Sequence, residues 1–283
     1  MNAMRERYAA DVWGRNAEGS NRADSYLRAL EYLGSILARR SKTFAQCSDL
    51  FLISDSGIIR KLYEYVTEQQ RLGEYGIFHD AEKPSYWRSC FYSAALKDYM
   101  GFLSQFRYEE KLWTIYNTEG SAPETLAEKL VSVGMEDCVN LPDVDVPPPQ
   151  GEDVLREVKS RLNQRFFRSM IMRDYSSCCC LTGLKVPEVL RASHIIPWAE
   201  DERNRMNPAN GLCLSATYDA AFDRHLVSFD ENYRFILSRS LKEQYTDQAF
   251  KLHFLAFEGT TLALPKRFKP EQAFLEKHRN AMG

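Results

Sequence analysis

Val189-Leu190-Arg191-Ala192-Ser193-His194-Ile195-Ile196-Pro197-Trp198 is the stretch on which the fold turns. Apolar residues around His194 predict a strand, and Pro197 ends it. A polar loop runs from Ala199 to Ala209, with Asn207-Pro208 as a turn. Asn210-Gly211-Leu212-Cys213-Leu214-Ser215 reads as a second short strand, and Ala216 to His225 as a helix capped by Ser215. Two further strands are expected between Leu226 and Ser238, joined at Asp230-Glu231-Asn232. Upstream, Cys179-Cys180-Leu181-Thr182-Gly183 has the composition of a tight turn.

The order is a strand ending in histidine, a loop, an asparagine-bearing turn, a strand, and a helix with carboxylates. It matches a ββα-metal nuclease core. A histidine in an apolar segment is ordinarily a core residue, and an asparagine before glycine ordinarily marks a turn. The surrounding pattern favours chemistry for both. A neutral imidazole can deprotonate water near neutral pH, and oxygen ligands suit a hard divalent ion. Asp219 and Asp223 stand four residues apart, on one helical face.

Residues 179 to 238 resemble the HNH endonucleases, in particular a bacterial restriction-type subgroup, through Thr182-Gly183, Ala192 to Trp198, Asn207-Pro208-x-Asn210-Gly211-Leu212 and Asp219-x-x-Phe222-Asp223-Arg224. Gln164 to Arg168, Leu264-Pro265 and His278-Arg279 look like flanks of the same subgroup, which extends the resemblance to about 155–280. The resemblance implies His194 as general base and Asn210 as the residue that positions the His-bearing segment. The third position, ordinarily a metal-binding histidine, falls on Asp219, or on Tyr218 if the register shifts by one; His225 is a further candidate ligand. Asp219 and Asp223 would then hold one Mg2+ or Mn2+ ion, since carboxylates favour these over zinc. The paired cysteines of a structural zinc knuckle are missing, so no structural zinc is expected and the thiols read as packing residues.

The rest of the chain sets the frame. Its 283 residues favour two domains, and 44% hydrophobic with 27% charged residues fit a globular protein. The net charge of -2 gives no global basic excess, so a nucleic acid would have to meet a local patch. No secretory leader or membrane span is expected, and the seven cysteines suit reduced thiols, which together point to the cytoplasm. Residues 1 to about 20 read as a loosely ordered leader. Helices are then predicted from about 21, over 56–72, and from Pro84 through Phe106 with Ser85 as cap. The aromatics of that third helix read as core, with base stacking as the functional alternative.

An α+β protein follows: a mostly helical N-terminal domain (1–117), a proline-rich linker (118–151) closed by Pro147, Pro148 and Pro149, and the nuclease domain (152–283). A helix over 152–175 carries Arg156, Lys159, Arg161, Arg165, Arg168 and Arg173 against Glu157 and Asp174. A charge run is usually a solvated face, but Arg161, Arg165, Arg168 and Arg224 are candidate phosphate contacts. The expected activity is a restriction or defence endonuclease on double-stranded DNA, working as a homodimer. The alternatives are a nonspecific or signal-activated effector nuclease and a DNA-binding protein whose core has decayed.

Overall fold

The computed structural model describes residues 3–15, 21–53, 55–79, 84–118, 120, 122–134 and 148–282. The central linker segment, 135–147 with Cys138, Pro142 and Pro147, lies outside them. The chain divides into two compact units, Met1–Glu110 with Gly134–Leu155, and Lys111–Val133 with Arg156–Gly283.

The first unit is built from helices α1 (Ala3–Arg15), α2 (Arg22–Arg40), α3 (Ser56–Arg71), α4 (Pro84–Arg88) and the start of α5 (Phe91–Thr118). The expected leader is therefore in large part a helix. Tyr8, Ala9 and Val12 recur at helical spacing and are buried. The Tyr8 ring meets Tyr99 edge-on at 5.0 Å, and its hydroxyl donates to Asp98 at 2.9 Å. The Asp55 side chain caps α3, accepting from the Gly57 and Ile58 amides. The single helix expected after Pro84 is broken at Cys90, whose φ of 53° lies in the left-handed region. Trp87, Tyr92 and Tyr99 are buried, so the aromatic stripe is core.

In the second unit α6 (Pro123–Ser132) precedes α7 (Pro148–Asp174), which belongs to this unit from Arg156 onward. Pro148 and Pro149, read from sequence as linker, open α7. A helix's first turn has amide groups without intrahelical partners, so proline costs nothing there. Strands β1 (Leu190–His194) and β2 (Gly211–Ser215) pair antiparallel, with Leu190 opposite Ser215 and His194 opposite Gly211. Helix α8 (Ala216–Phe222) follows at once, shorter than the expected Ala216–His225, and Ser215 makes no side-chain cap bond. Strands β3 (Val227–Phe229) and β4 (Phe235–Leu237) form the second hairpin. Short helices α9 (Arg239–Gln244) and α10 (Gln248–His253) and the tail helix α11 (Gln272–Asn280) complete the unit.

Helix α7 packs onto the first hairpin, and Gly211 permits it. A Cβ there would sit 2.3 Å from Ile171 Cδ1 and 2.8 Å from Phe167 Cζ. Across the described residues no helix is long and apolar enough to cross a membrane. The whole is an α+β architecture.

Candidate active site

A cleft of about 550 Å³ opens where α7, β1, α8 and α11 meet. Phe167, Arg168, Ser193, His194, Asp219 and Asp223 are among the residues that line it. The sequence-predicted base and both predicted carboxylates thus share one cavity.

His194 ends β1 with its ring stacked on Phe167, centroids 3.7 Å apart and planes 16° from parallel. Trp198 meets it edge-on at 5.4 Å. Its Nε2 lies 3.1 Å from the carbonyl oxygen of Arg205. A carbonyl only accepts, so Nε2 carries the proton and Nδ1 keeps its lone pair. Burial lowers the imidazole pKa to about 4, against a smaller opposing effect of the Arg205 bond. The ring is therefore neutral at pH 7, as a base must be before it acts.

Asn210 is fully buried and fully used. Its Oδ1 accepts from the Ile196 amide at 2.8 Å, and its Nδ2 donates to the carbonyls of Ile196 and Asn204, each at 3.1 Å. Its own carbonyl takes the Ile195 amide at 3.0 Å. The residue clasps the chain directly after His194. A relay stiffens the loop before it: Asn207 Nδ2 donates to Asn204 Oδ1, and Asn204 Nδ2 to Asp201, both at 2.7 Å. The bond from Asn204 is the main reason the Asp201 carboxyl is held below its usual range.

The carboxylate side is built differently. The buried Ser193 hydroxyl donates to Asp219 Oδ1. Asp223 is the C-cap of α8. Burial first, and the neighbouring charge of Asp219 second, push its carboxyl above the usual range. His225 follows with a left-handed backbone, φ 53°, and its Nδ1 is buried without a hydrogen-bond partner. Its ring stands 4.5 Å from that of His278.

His278, from the His278-Arg279 flank of the resemblance, lines the cleft from α11. It stacks on Phe222 at 3.7 Å, Nε2 donates to the Phe222 carbonyl at 3.0 Å, and Nδ1 accepts from Ser228 at 2.9 Å. Both nitrogens are committed, so its work is structural. Tyr218 does not line this cleft. Its hydroxyl donates to the His253 carbonyl and its ring packs among Phe235, Phe254 and Phe257. Packing thus separates it from Asp219, which spacing alone did not.

Of the four candidate phosphate arginines, Arg168 alone lines the cleft, and it also grips the carbonyls of Leu190 and Pro187 at 2.9 and 3.1 Å. Arg161 pairs with Glu157 on an exposed face. Arg224 donates to the Ala220 carbonyl at 2.8 Å, and Arg165 is exposed. Arg191, Phe167 and Trp198 also belong to the cleft. Arg191 and Trp198 flank the histidine in the quoted stretch, whereas Phe167 arrives from a separate helix.

No three His, Cys, Asp or Glu side chains among the described residues converge as a ready-made metal cage. Two carboxylates in an open cleft, one raised by burial and then by the other's charge, still fit a hard divalent ion. Such an ion takes one or two protein carboxylates and fills its remaining positions with water and substrate phosphate. Burial raises Cys213 to about 12 and holds Cys180 well above its ordinary range.

Residues 179–230 match the family model of the HNH endonucleases. That segment, which contains β1, β2 and α8, is an HNH endonuclease domain. The chain carrying it is a nuclease, a phosphodiester hydrolase acting on nucleic acid. None of the curated proteins compared with the chain matches it.

Proposed function

We propose that the chain is a divalent-metal-dependent endonuclease of double-stranded DNA, with His194 as general base. The carrying observation is the state of that ring: neutral, its Nε2–H spent on a main-chain carbonyl, its Nδ1 lone pair available. In the proposed reaction Nδ1 takes a proton from water as the oxygen bonds to phosphorus. The bond to the leaving oxygen breaks, and that oxygen takes up a proton from solvent. Asn210 is a positioning residue that fixes the segment behind the base. Asp219, oriented by Ser193, and Asp223 would hold Mg2+ or Mn2+. That ion supplies charge stabilisation for the phosphorane and the leaving oxygen.

The domain plan supports a restriction or defence role. A small ββα core grips mainly backbone, and the helical N-terminal unit is left to read sequence or modification or to dimerise. A homodimer would place one nuclease domain (152–283) on each strand of a palindromic site. Digestion of plasmid and of modified and unmodified phage DNA with Mg2+ or Mn2+ tests this. Discrete fragments are expected. A smear makes the nuclease nonspecific, and intact DNA on every substrate overturns the reading.

A further inference from the structure

Beyond Trp198 lies a second, smaller cleft of about 210 Å³. Arg156, Lys159, Ser160, Glu202 and Arg205 line it, and Trp198 lines both clefts. The indole is the partition. It meets the His194 ring at 5.4 Å, and the Arg205 guanidinium lies 5.4 Å from its centroid. Three cations face the second cleft against one carboxylate, that of Glu202. Glu202 pairs with Arg205 at 3.0 Å but its side chain is 80% exposed. Exposed pairs of this kind hold weakly, so an anion can replace the carboxylate. A guanidinium fork matches two oxygens of a phosphate, and an ammonium adds a point charge.

Two of the three cations, Arg205 and Lys159, are aimed by the fold. Arg205 Nε donates to the Trp198 carbonyl at 2.7 Å, and Lys159 donates one bond, at 3.3 Å, to the Val131 carbonyl. The main chain of Arg205 accepts from His194 Nε2. One residue thus anchors the base through its backbone and faces the neighbouring cleft through its side chain.

We propose that this cleft seats a backbone phosphate of the DNA strand adjacent to the phosphate being cut, between Lys159 and Arg205. The inference rests on the nuclease reading and adds a binding subsite to it. A phosphate held there would also stiffen the 198–205 loop on which the His194 tautomer depends.

Duplex DNA titrations in EDTA, over a series of salt concentrations, test the subsite with wild type, Lys159→Ala, Lys159→Glu and Lys251→Ala. Lys251 is exposed on α10, outside both clefts. Losing one phosphate contact should lower the slope of log K against log salt by about 0.9 in Lys159→Ala. Affinity should fall further in Lys159→Glu, with Lys251→Ala unchanged. Lys159 variants that keep the wild-type slope, or lose no more than Lys251→Ala, overturn the subsite. A wild type that neither binds nor cuts DNA overturns the nuclease reading itself. Heat denaturation with inorganic phosphate at constant ionic strength separates the other source. If phosphate protects wild type but not Lys159→Glu, while DNA slopes stay equal, the cleft holds a free anion and the strand assignment fails.

Discussion

The two halves of the candidate active site differ in how completely they are satisfied. Around His194 all but the Nδ1 lone pair is spent: Nε2 on Arg205, the Asn210 amide on Ile196 and Asn204, the ring on Phe167. Around Asp223 they are not: its carboxyl is raised by burial and by Asp219, and His225 Nδ1 has no hydrogen-bond partner. A finished hydrogen-bond network holds one geometry, while an unfinished one awaits a charge from outside. The base side is preorganised by the chain alone. The carboxylate side is arranged to be completed by a cation and substrate.

That contrast can be broken from either side. Asn210→Ala should have the largest effect on stability. It strips the partner from the buried Ile196 amide and carbonyl, at about 1–3 kcal/mol for each group left unsatisfied. Urea denaturation reads the loss, and a wild-type midpoint would show that the clasp is dispensable. Gly211→Ala should follow, at about 1–3 kcal/mol, because the added Cβ drives into Ile171 and Phe167. A thermal midpoint equal to wild type would mean that α7 gives way freely.

The carboxylate half should answer in the opposite way. Asp223→Asn removes a like charge beside Asp219, so folding stability should hold or rise while the metal concentration needed for cleavage increases several-fold. A metal titration of cleavage, run beside a melting curve, checks both signs. A loss of stability with unchanged metal demand would place Asp223 in the scaffold instead.

The pH response sharpens the same comparison. His194 and His278 both have folded pKa values near 4, below the ordinary 6.5. A histidine held neutral in this way contributes stability above pH 6.5 and loses it as pH falls from 6.5 towards 4, where the unfolded chain binds protons first. Unfolding free energy should therefore decline across that window. A flat profile between pH 6.5 and 4 would count against the neutral, buried rings. The smallest effect is expected on the outer face of α7. Arg161→Ala breaks only an exposed pair with Glu157 and should change stability by about 0.5 kcal/mol or less.

Local pattern made β1, β2 and the second hairpin legible, because strand periodicity, Pro197 and the Asn207-Pro208 turn act within a few residues. It also placed Asp219 and Asp223 on one face. What depends on distant contact was not legible. Tyr218 and Asp219 are neighbours in sequence, and only the pocket formed by Phe235, Phe254 and Phe257 turns the tyrosine away. Phe167 and His278 lie in the flanks of the resemblance, but nothing local to those flanks says that their rings reach the site. The N-terminal helix escaped notice because its buried face is three residues long in a polar segment. Pro148 and Pro149 misled for a physical reason, since proline both stiffens linkers and starts helices.

The central claim is that His194 is the base and acts without carrying the grip on DNA. Single-turnover cleavage of one duplex by wild type and His194→Ala, with binding measured on the same duplex, tests it most directly. A positioned general base contributes about 10²–10⁴-fold, so cleavage should fall by that factor while Kd stays within about threefold. Cleavage retained at the wild-type rate, with binding intact, would contradict the account.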